Sequence, residues 1–427
     1  MSEIKDIPKH WQRKKLGEVC FTTSGGTPNR GNSKFYQGNI PWVKSGELDR
    51  GLILDTEEKI SEEAIKNSSA KVFPKGTLLI ALYGATIGKL AFLGIDAATN
   101  QAVCGIYKNE NIDSNYLFNF LFYKKPSLVK QGIGGAQPNI SQGILKNLEL
   151  PIPPIPEHQA IVAKIEELLS ELENGKQQLL TAQQQLKVYR QSLLKWAFEG
   201  RLTNKDVKDG ELPKEWKVEK IGGILKTIDG DRGPNYPKKN EFFNHGYCLF
   251  LSTKNVRIDR FLFEENIFIT KEKDEKLRSG KLQLNDVIIT TRGTLGNVAL
   301  YDETIPYKNI RINSGMLILR ITDMKLNNYY LMKFITSPNF INQLKNKQSG
   351  TAQPQIPANV LREIEIPVPP IKEQQLIVDE LESKLTICDK IEESISQSLQ
   401  QAETLRQSIL KKAFEGKLIN YELKITN

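Results

Sequence analysis

The chain has 427 residues, 39% of them hydrophobic and 26% charged, which is enough for two domains that each bury a core. Its 59 Lys and Arg against 50 Asp and Glu give a net charge of +9, which favours a polyanionic partner without requiring one. Cys20, Cys104, Cys248 and Cys388 lie far apart with no CxxC pair, which argues against a zinc site or a disulfide scaffold and fits a reducing cytoplasm.

The first eleven residues hold neither an apolar run nor a small-residue cleavage site, which argues against secretion. IPKHW occupies 7–11, and IPWV at 40–43 has the composition of a strand. The apolar stretch 78–95 is broken by Gly84, Gly88 and Lys89, so it divides into buried strands at 78–83 and 90–93 around a turn rather than a membrane span. AQPNI at 136–140 is a turn, and IPPIPE at 152–157 suits a helix start, where Pro gives up only an unpaired donor and Glu meets the positive end. Apolar or small residues then recur at Ile161, Ile165, Leu168, Leu172, Gly175, Leu179, Ala182, Leu186, Tyr189 and Leu193, in steps of four and three. This is a heptad seam, and Gly200 is its natural stop. A helix of this length, about 44 residues, spans roughly 66 Å.

The same series returns 216 positions later. AQPQI stands at 352–356, the prolines of the helix start fall on Pro367, Pro369 and Pro370, and Glu157 falls on Glu373. SLLKWAFEGRL at 192–202 matches SILKKAFEGKL at 408–418, and IPKHW matches LPKEW at 212–216. The second seam runs Ile377, Leu381, Lys384, Cys388, Ile391, Ile395, Ser398, Ala402, Leu405 and Ile409, with polar breaks that fix register at some cost in stability. Between the matching ends the likeness is weaker, with Lys44 and Ser45 facing Ser252 and Thr253, and Thr86 and Gly88 facing Thr294 and Gly296. The expected fold is α+β: two β-rich globular units, an internal pseudo-two-fold repeat, and two long helices. If the seams pair, the helices form an antiparallel coiled coil between the units; the alternative is that each helix packs on its own domain.

No catalytic constellation emerges. GATIGKL at 84–90 is one residue short of a phosphate loop and has Leu90 where Ser or Thr is needed. No GxGxxG opens a helix, and His10, His158 and His245 lack metal-ligand spacing, so each is read as a surface residue. The adenine-methylating motif of Asn or Asp, Pro, Pro and an aromatic is also missing.

The AQPNI and AQPQI turns, the PIPP and PVPP helix starts, the LLKWAFEG and ILKKAFEG helix ends, and the IPKHW and LPKEW openings together resemble the specificity subunits of type I restriction-modification enzymes. The resemblance implies a first target recognition domain over 1–150 and a first conserved helical region over 151–202. A linker and second target recognition domain follow over 203–366, then a second helical region and tail over 367–427. It implies a non-catalytic cytoplasmic protein that binds double-stranded DNA, two methyltransferase subunits and restriction-translocase subunits. S-adenosylmethionine, ATP and Mg would be carried by those partners, with no cofactor, metal or membrane association of its own. Two diverged readers would recognise an asymmetric bipartite target, free of the palindrome that protein symmetry imposes on a dimer.

Base-reading groups should come from loops between strands, where Arg and Lys pair with guanine and amides with adenine. In the first domain these are Lys44 and Ser45, then Tyr83, Thr86 and Lys89, with Thr27 and Asn29. In the second they are Ser252, Thr253 and Lys254, then Arg292, Thr294 and Asn297, with Arg232 and Arg257. Each Gly-rich turn serves equally as a plain tight hairpin, and each cation as a solvated surface charge. Gln137 and Gln353 either touch a partner or simply shape the repeated turn. The helix ends, Leu193, Leu194, Trp196 and Phe198 with Ile409, Leu410 and Phe414, are apolar nearly all round. They either pack on a recognition domain or dock a partner subunit.

Overall fold

The computed structural model describes residues 4, 6–132, 139–347 and 355–419. Two compact units make up the chain, residues 1–179 with 397–427 and residues 180–396. Their boundaries fall inside the two long helices, Ile155–Phe198 and Ile371–Phe414, so each unit owns half of each helix. The turns at Gln137 and Gln353 lie outside the described residues.

In the first unit, Leu78–Ala81 and Leu90–Leu93 pair antiparallel at the centre of a five-stranded sheet, as their unbroken apolar runs require. A second sheet pairs Ile40–Val43 parallel to Ala97–Thr99 and antiparallel to Glu58–Ile60. The second unit repeats both arrangements. Val287–Thr290 pairs antiparallel with Val298–Leu300, while Cys248–Leu251 runs parallel to Ile310–Ile312 and antiparallel to Phe268–Ile269. The central pairings are therefore duplicated even where sequence likeness has faded, with one further strand in each of the first unit's two sheets.

Both helix halves in a unit help to close its core. In the first unit Ile161 and Ile165 from the start of the first helix share a cluster with Leu410, Ala413 and Phe414 from the end of the second. The Phe414 ring sits 5.3 Å from the rings of Tyr116 and Phe120 and 5.7 Å from that of Tyr123. In the second unit Phe198 does the same work against Tyr330 and Phe334, beside Ile377 and Leu381. The helix halves run antiparallel within each unit, held in the first by Arg406–Glu173 (3.0 Å) and in the second by Arg190–Asp389 (2.6 Å) and Arg190–Glu392 (3.1 Å).

The expected seams are partly displaced. Tyr189, Ile391 and Leu405 are exposed, whereas Glu392 and Arg406, one position beyond the last two, are half-buried. Those two form the ion pairs just described. Charge pairing takes over part of the seam, so a count of apolar residues misplaced it by one.

The ends of the repeat become a pair of identical joints. Trp11 Nε1 donates to Glu157 and Trp216 Nε1 donates to Glu373, both at 3.0 Å, tying each unit's opening segment to the first turn of a long helix. The hydroxyls of Tyr116 and Tyr330 each donate at 2.8 Å to a proline carbonyl, of Pro151 and Pro367. Gly200 and Gly416 end the helices with φ of 79° and 69°. A Cβ on Gly200 would collide with the Pro213 ring, and one on Gly416 with the Pro8 ring. Only glycine satisfies both the left-handed backbone and the close approach.

His158 departs from its expected surface position. It is fully buried in the first helical turn, its ring 4.4 Å from that of Tyr116 and neither nitrogen hydrogen-bonded, and burial lowers its pKa to about 4. His10 is half-exposed and meets Glu157 at 2.9 Å, while His245 lies exposed in a loop.

Candidate nucleic-acid interface

The strand that ends at Ala81 leads into Tyr83, Gly84 and a 3-10 turn, and the strand ending at Thr290 leads into Arg292 and Gly293. Gly84 and Gly88 have φ of 62° and 75°, Gly293 and Gly296 of 74° and 77°, so the tips turn alike. The second tip is one residue shorter between its glycines. Arg292 stands where Tyr83 stands, directly before the first glycine, while Gly88 N and Gly296 N, donating to Ala81 O (2.9 Å) and Thr290 O (3.0 Å), keep the second glycines, and with them Thr86 and Thr294, in register. A repeated backbone bond fixes what lies beneath each tip. Ile140 N donates to Leu82 O at 2.9 Å, and Ile356 N donates to Thr291 O at 3.0 Å.

Equivalent clefts open at these junctions. In the first unit a 490 Å³ cleft brings Tyr83 together with Gln101, Asn139, Gln142 and Ser24. In the second a 240 Å³ cleft gathers Arg292, Arg232, Asp229, Thr291 and Gln355. A further cleft of 570 Å³ in the second unit collects Thr253, Lys254, Arg257, Thr294 and Asn297 from separate segments. Seven residues chosen from the second domain's sequence thus converge on two neighbouring hollows.

The first unit's choices are less concentrated. Tyr83 lines its cleft, and Thr27 reaches it by donating to Gln101. Thr86 caps its own turn through Tyr83 O (2.7 Å), and exposed Asn29 accepts from Gly31 N (2.9 Å). Lys44 is held by Glu57 (2.9 Å) and Glu58 (3.1 Å), whose hydrogen bonds raise its pKa. Lys89 pairs with Asp49 in the 3-10 turn Ser45–Arg50, which Ser45 opens.

In the second unit Lys254 meets Glu265 at 2.8 Å and Arg232 meets Asp229 at 3.2 Å. Among the described residues, Arg257 and Arg292 are the two of the six chosen cations whose side chains meet no carboxylate; Arg257 instead donates to Val256 O at 3.0 Å. Asn297 is a correction, because it is buried and its amide donates at 2.9 Å to Val256 O, bracing the loop from beneath. The Ser252 hydroxyl is likewise committed, donating to Asn255 Oδ1 (3.0 Å) and accepting from Lys254 N (3.2 Å).

Gln101, Asn139, Gln142, Asp229 and Gln355, none of them singled out by the sequence, also line these clefts. Asn139 and Gln355 occupy the same place in AQPNI and AQPQI, so the repeat itself held the signal: the one position that differs within a repeated motif lines a cleft in each unit.

Residues 8–182 and 213–401 match the family described as Type I restriction modification DNA specificity domain. The chain belongs to this family. It is 28% identical over 290 residues to the type I restriction enzyme MjaIX specificity subunit of Methanocaldococcus jannaschii, an alignment that covers 65% of each protein. It is 26% identical to the MjaVIII specificity subunit of the same organism over 84% of this chain and 82% of that one. The Escherichia coli K12 EcoKI specificity subunit is 25% identical over 96% of this chain and 90% of its own. Among solved structures, one described as showing complex assembly and conformational transition of the type I R-M system superposes with a TM-score of 0.74 at 20% identity, covering 96% and 99% of the two chains. The HsdS subunit from Thermoanaerobacter tengcongensis gives 0.62 at 21%, covering 96% and 98%. Both establish the fold.

As a DNA specificity-domain protein the chain is a recognising component rather than a catalyst. Among the described residues no group of three or more His, Cys, Asp or Glu is arranged to hold a metal ion, and no helix is long and apolar enough to cross a membrane. Of the two expectations for the helix ends, packing on their own units holds for six of the seven residues. Leu193, Leu194, Phe198, Ile409, Leu410 and Phe414 are buried in their own units, because the aromatic clusters of those units need them as closing pieces. Trp196 is half-buried, with Arg201 at 5.8 Å from its ring.

Proposed function

We propose that this chain reads an asymmetric bipartite DNA target, one half-site per unit, and directs adenine methylation and restriction by partner subunits. The observation that carries the reading is duplication with divergence. The joints around Trp11 and Trp216 are chemically the same, whereas the clefts beneath the two recognition tips are lined by different groups. A shared scaffold with unlike readers suits one chain that recognises two unlike sequences.

In this reading two methyltransferase subunits bind S-adenosylmethionine, and restriction-translocase subunits use ATP and Mg. The chain itself contributes position and sequence preference. The test is to co-express it with its cognate methyltransferase subunit and sequence the modified DNA. One asymmetric motif in two parts is expected. Adenine methylation without such a motif, or methylation by the purified chain alone, overturns the proposal.

A further inference from the structure

The clefts at the two recognition tips occupy the same place in the fold, so their linings are directly comparable. The first is polar without charge among the described residues: Gln101, Asn139 and Gln142 supply amides, and Leu82, Ile140 and Ile144 supply an apolar floor. Gln142 donates to Ser24 Oγ at 2.6 Å and Gln101 accepts from Thr27, which hold both amides in place by one end. The second cleft is charged. Arg292 is exposed at its rim, and Arg232 donates to Asp229 at 3.2 Å and to Ser314 O at 3.3 Å.

In the major groove a side-chain amide matches adenine N6 and N7, and an apolar surface suits the thymine methyl. A guanidinium matches guanine O6 and N7, and a carboxylate accepts from cytosine N4. From these linings we infer that the first unit reads an A·T pair through Asn139, Gln142 and Gln101 against its apolar floor, and the second reads a G·C pair through Arg292 and Arg232 with Asp229. The inference rests on the proposed bipartite reading and adds the chemical class of base to each half. Asn139 and Gln355 show how the repeat permits it. The backbone bond beneath each tip is kept and each lining retains an amide at this position and aliphatic neighbours, while two arginines and an aspartate enter the second lining and no charged group lines the first among the described residues.

The experiment uses the complex of the full chain with its methyltransferase partner. The methylated motif is mapped first for the unaltered complex, then for Arg292→Gln and for Asn139→Ala. Competition binding follows at fixed salt, with duplexes carrying 7-deazaguanine for guanine in one half-site, or 7-deazaadenine and deoxyuridine for adenine and thymine in the other.

Arg292→Gln should relax a guanine in one half-site only, and 7-deazaguanine at that position should weaken binding about 5- to 150-fold. Asn139→Ala should relax an A·T pair in the opposite half, at a position other than the methylated adenine, and 7-deazaadenine or deoxyuridine there should weaken binding in the same way. The modified bases leave the protein intact, so their effect does not depend on how well either variant folds. A bipartite motif that survives Arg292→Gln unchanged, or tolerates 7-deazaguanine throughout, overturns the inference while leaving the bipartite reading standing. Absence of any bipartite motif in the unaltered complex overturns both.

Discussion

The two units share joints but fill their interiors differently. In the second, buried Arg311 pairs with buried Asp274 and donates to the carbonyls of Ser279 (2.7 Å) and Leu277 (3.1 Å), and Asp286 takes both branches of Arg320 at 2.8 and 2.7 Å. The strand of the first unit that corresponds to Ile310–Ile312, Ala97–Thr99, carries no charge. At the first helical turn the contrast is sharper. Gln374 accepts from Asn327 N (2.8 Å) and donates to Lys325 O (2.7 Å) and Pro369 O (2.8 Å), whereas His158, its counterpart 216 positions earlier, has no hydrogen bond on either ring nitrogen. A backbone frame can thus be copied while the polar groups inside it are renegotiated: the second copy pairs the amide it buries, and the first buries an imidazole unpaired, which burial keeps neutral by lowering its pKa.

The largest expected effects probe what the units share. Phe414→Ala and Phe198→Ala should each destabilise the unit that holds the ring by about 3–5 kcal/mol, since both rings are fully buried among aromatics. Urea titration followed by hydrogen exchange should locate the loss in residues around Tyr116 for the first and around Tyr330 for the second. Equal losses in both units from either variant would break the comparison.

Arg311→Met should cost about 3 kcal/mol, because Asp274 would stay buried with only Lys281 as an ionic partner. The loss should appear in the protection of the second unit alone.

A smaller effect depends on pH. Burial lowers the His158 pKa to about 4, below the ordinary value near 6.5 expected when the chain unfolds. Between those values the unfolded state binds the extra proton, so stability is fully present above about pH 6.5 and is lost as pH falls toward 4. The first unit should lose about 2 kcal/mol between pH 7 and 5 from this group. His158→Gln, which installs the residue used by the second unit, should flatten that slope in denaturation midpoints. An unchanged slope would remove His158 as its cause.

Arg190→Met tests the charged part of the helix seam. Its partner Asp389 is exposed and Glu392 only half-buried, so the cost should be under about 1 kcal/mol and should shrink further in high salt. A loss of several kcal/mol would mean that the pairing is structural in a way its exposure does not suggest.

The sequence by itself determined the duplication, the lengths and ends of the helices, and the central hairpins. Each of those follows from short-range rules: heptad spacing, proline at helix starts, glycine with positive φ, and unbroken apolar runs in buried strands. The position of Arg292 at a tip was also legible, because an arginine beside a glycine after a buried strand is marked by its neighbours alone. Tertiary structure decided the rest. The apolar residues of AFEG called for a cover that the sequence left open between a recognition domain and a partner, and only the fold brings Tyr116 or Tyr330 from elsewhere in the chain to cover Phe414 or Phe198. His158 reads as surface until Tyr116 closes over it, and Asn297 reads as a reader until Val256 O takes its amide. Gln101 is distant in the chain from Asn139 and Gln142, and the three come together only where a backbone bond from Ile140 to Leu82 seats the later segment beneath the tip. Local patterns specify elements because their physics lies within a few residues. A site assembled across some 120 residues of chain is specified by packing, which no window of sequence contains.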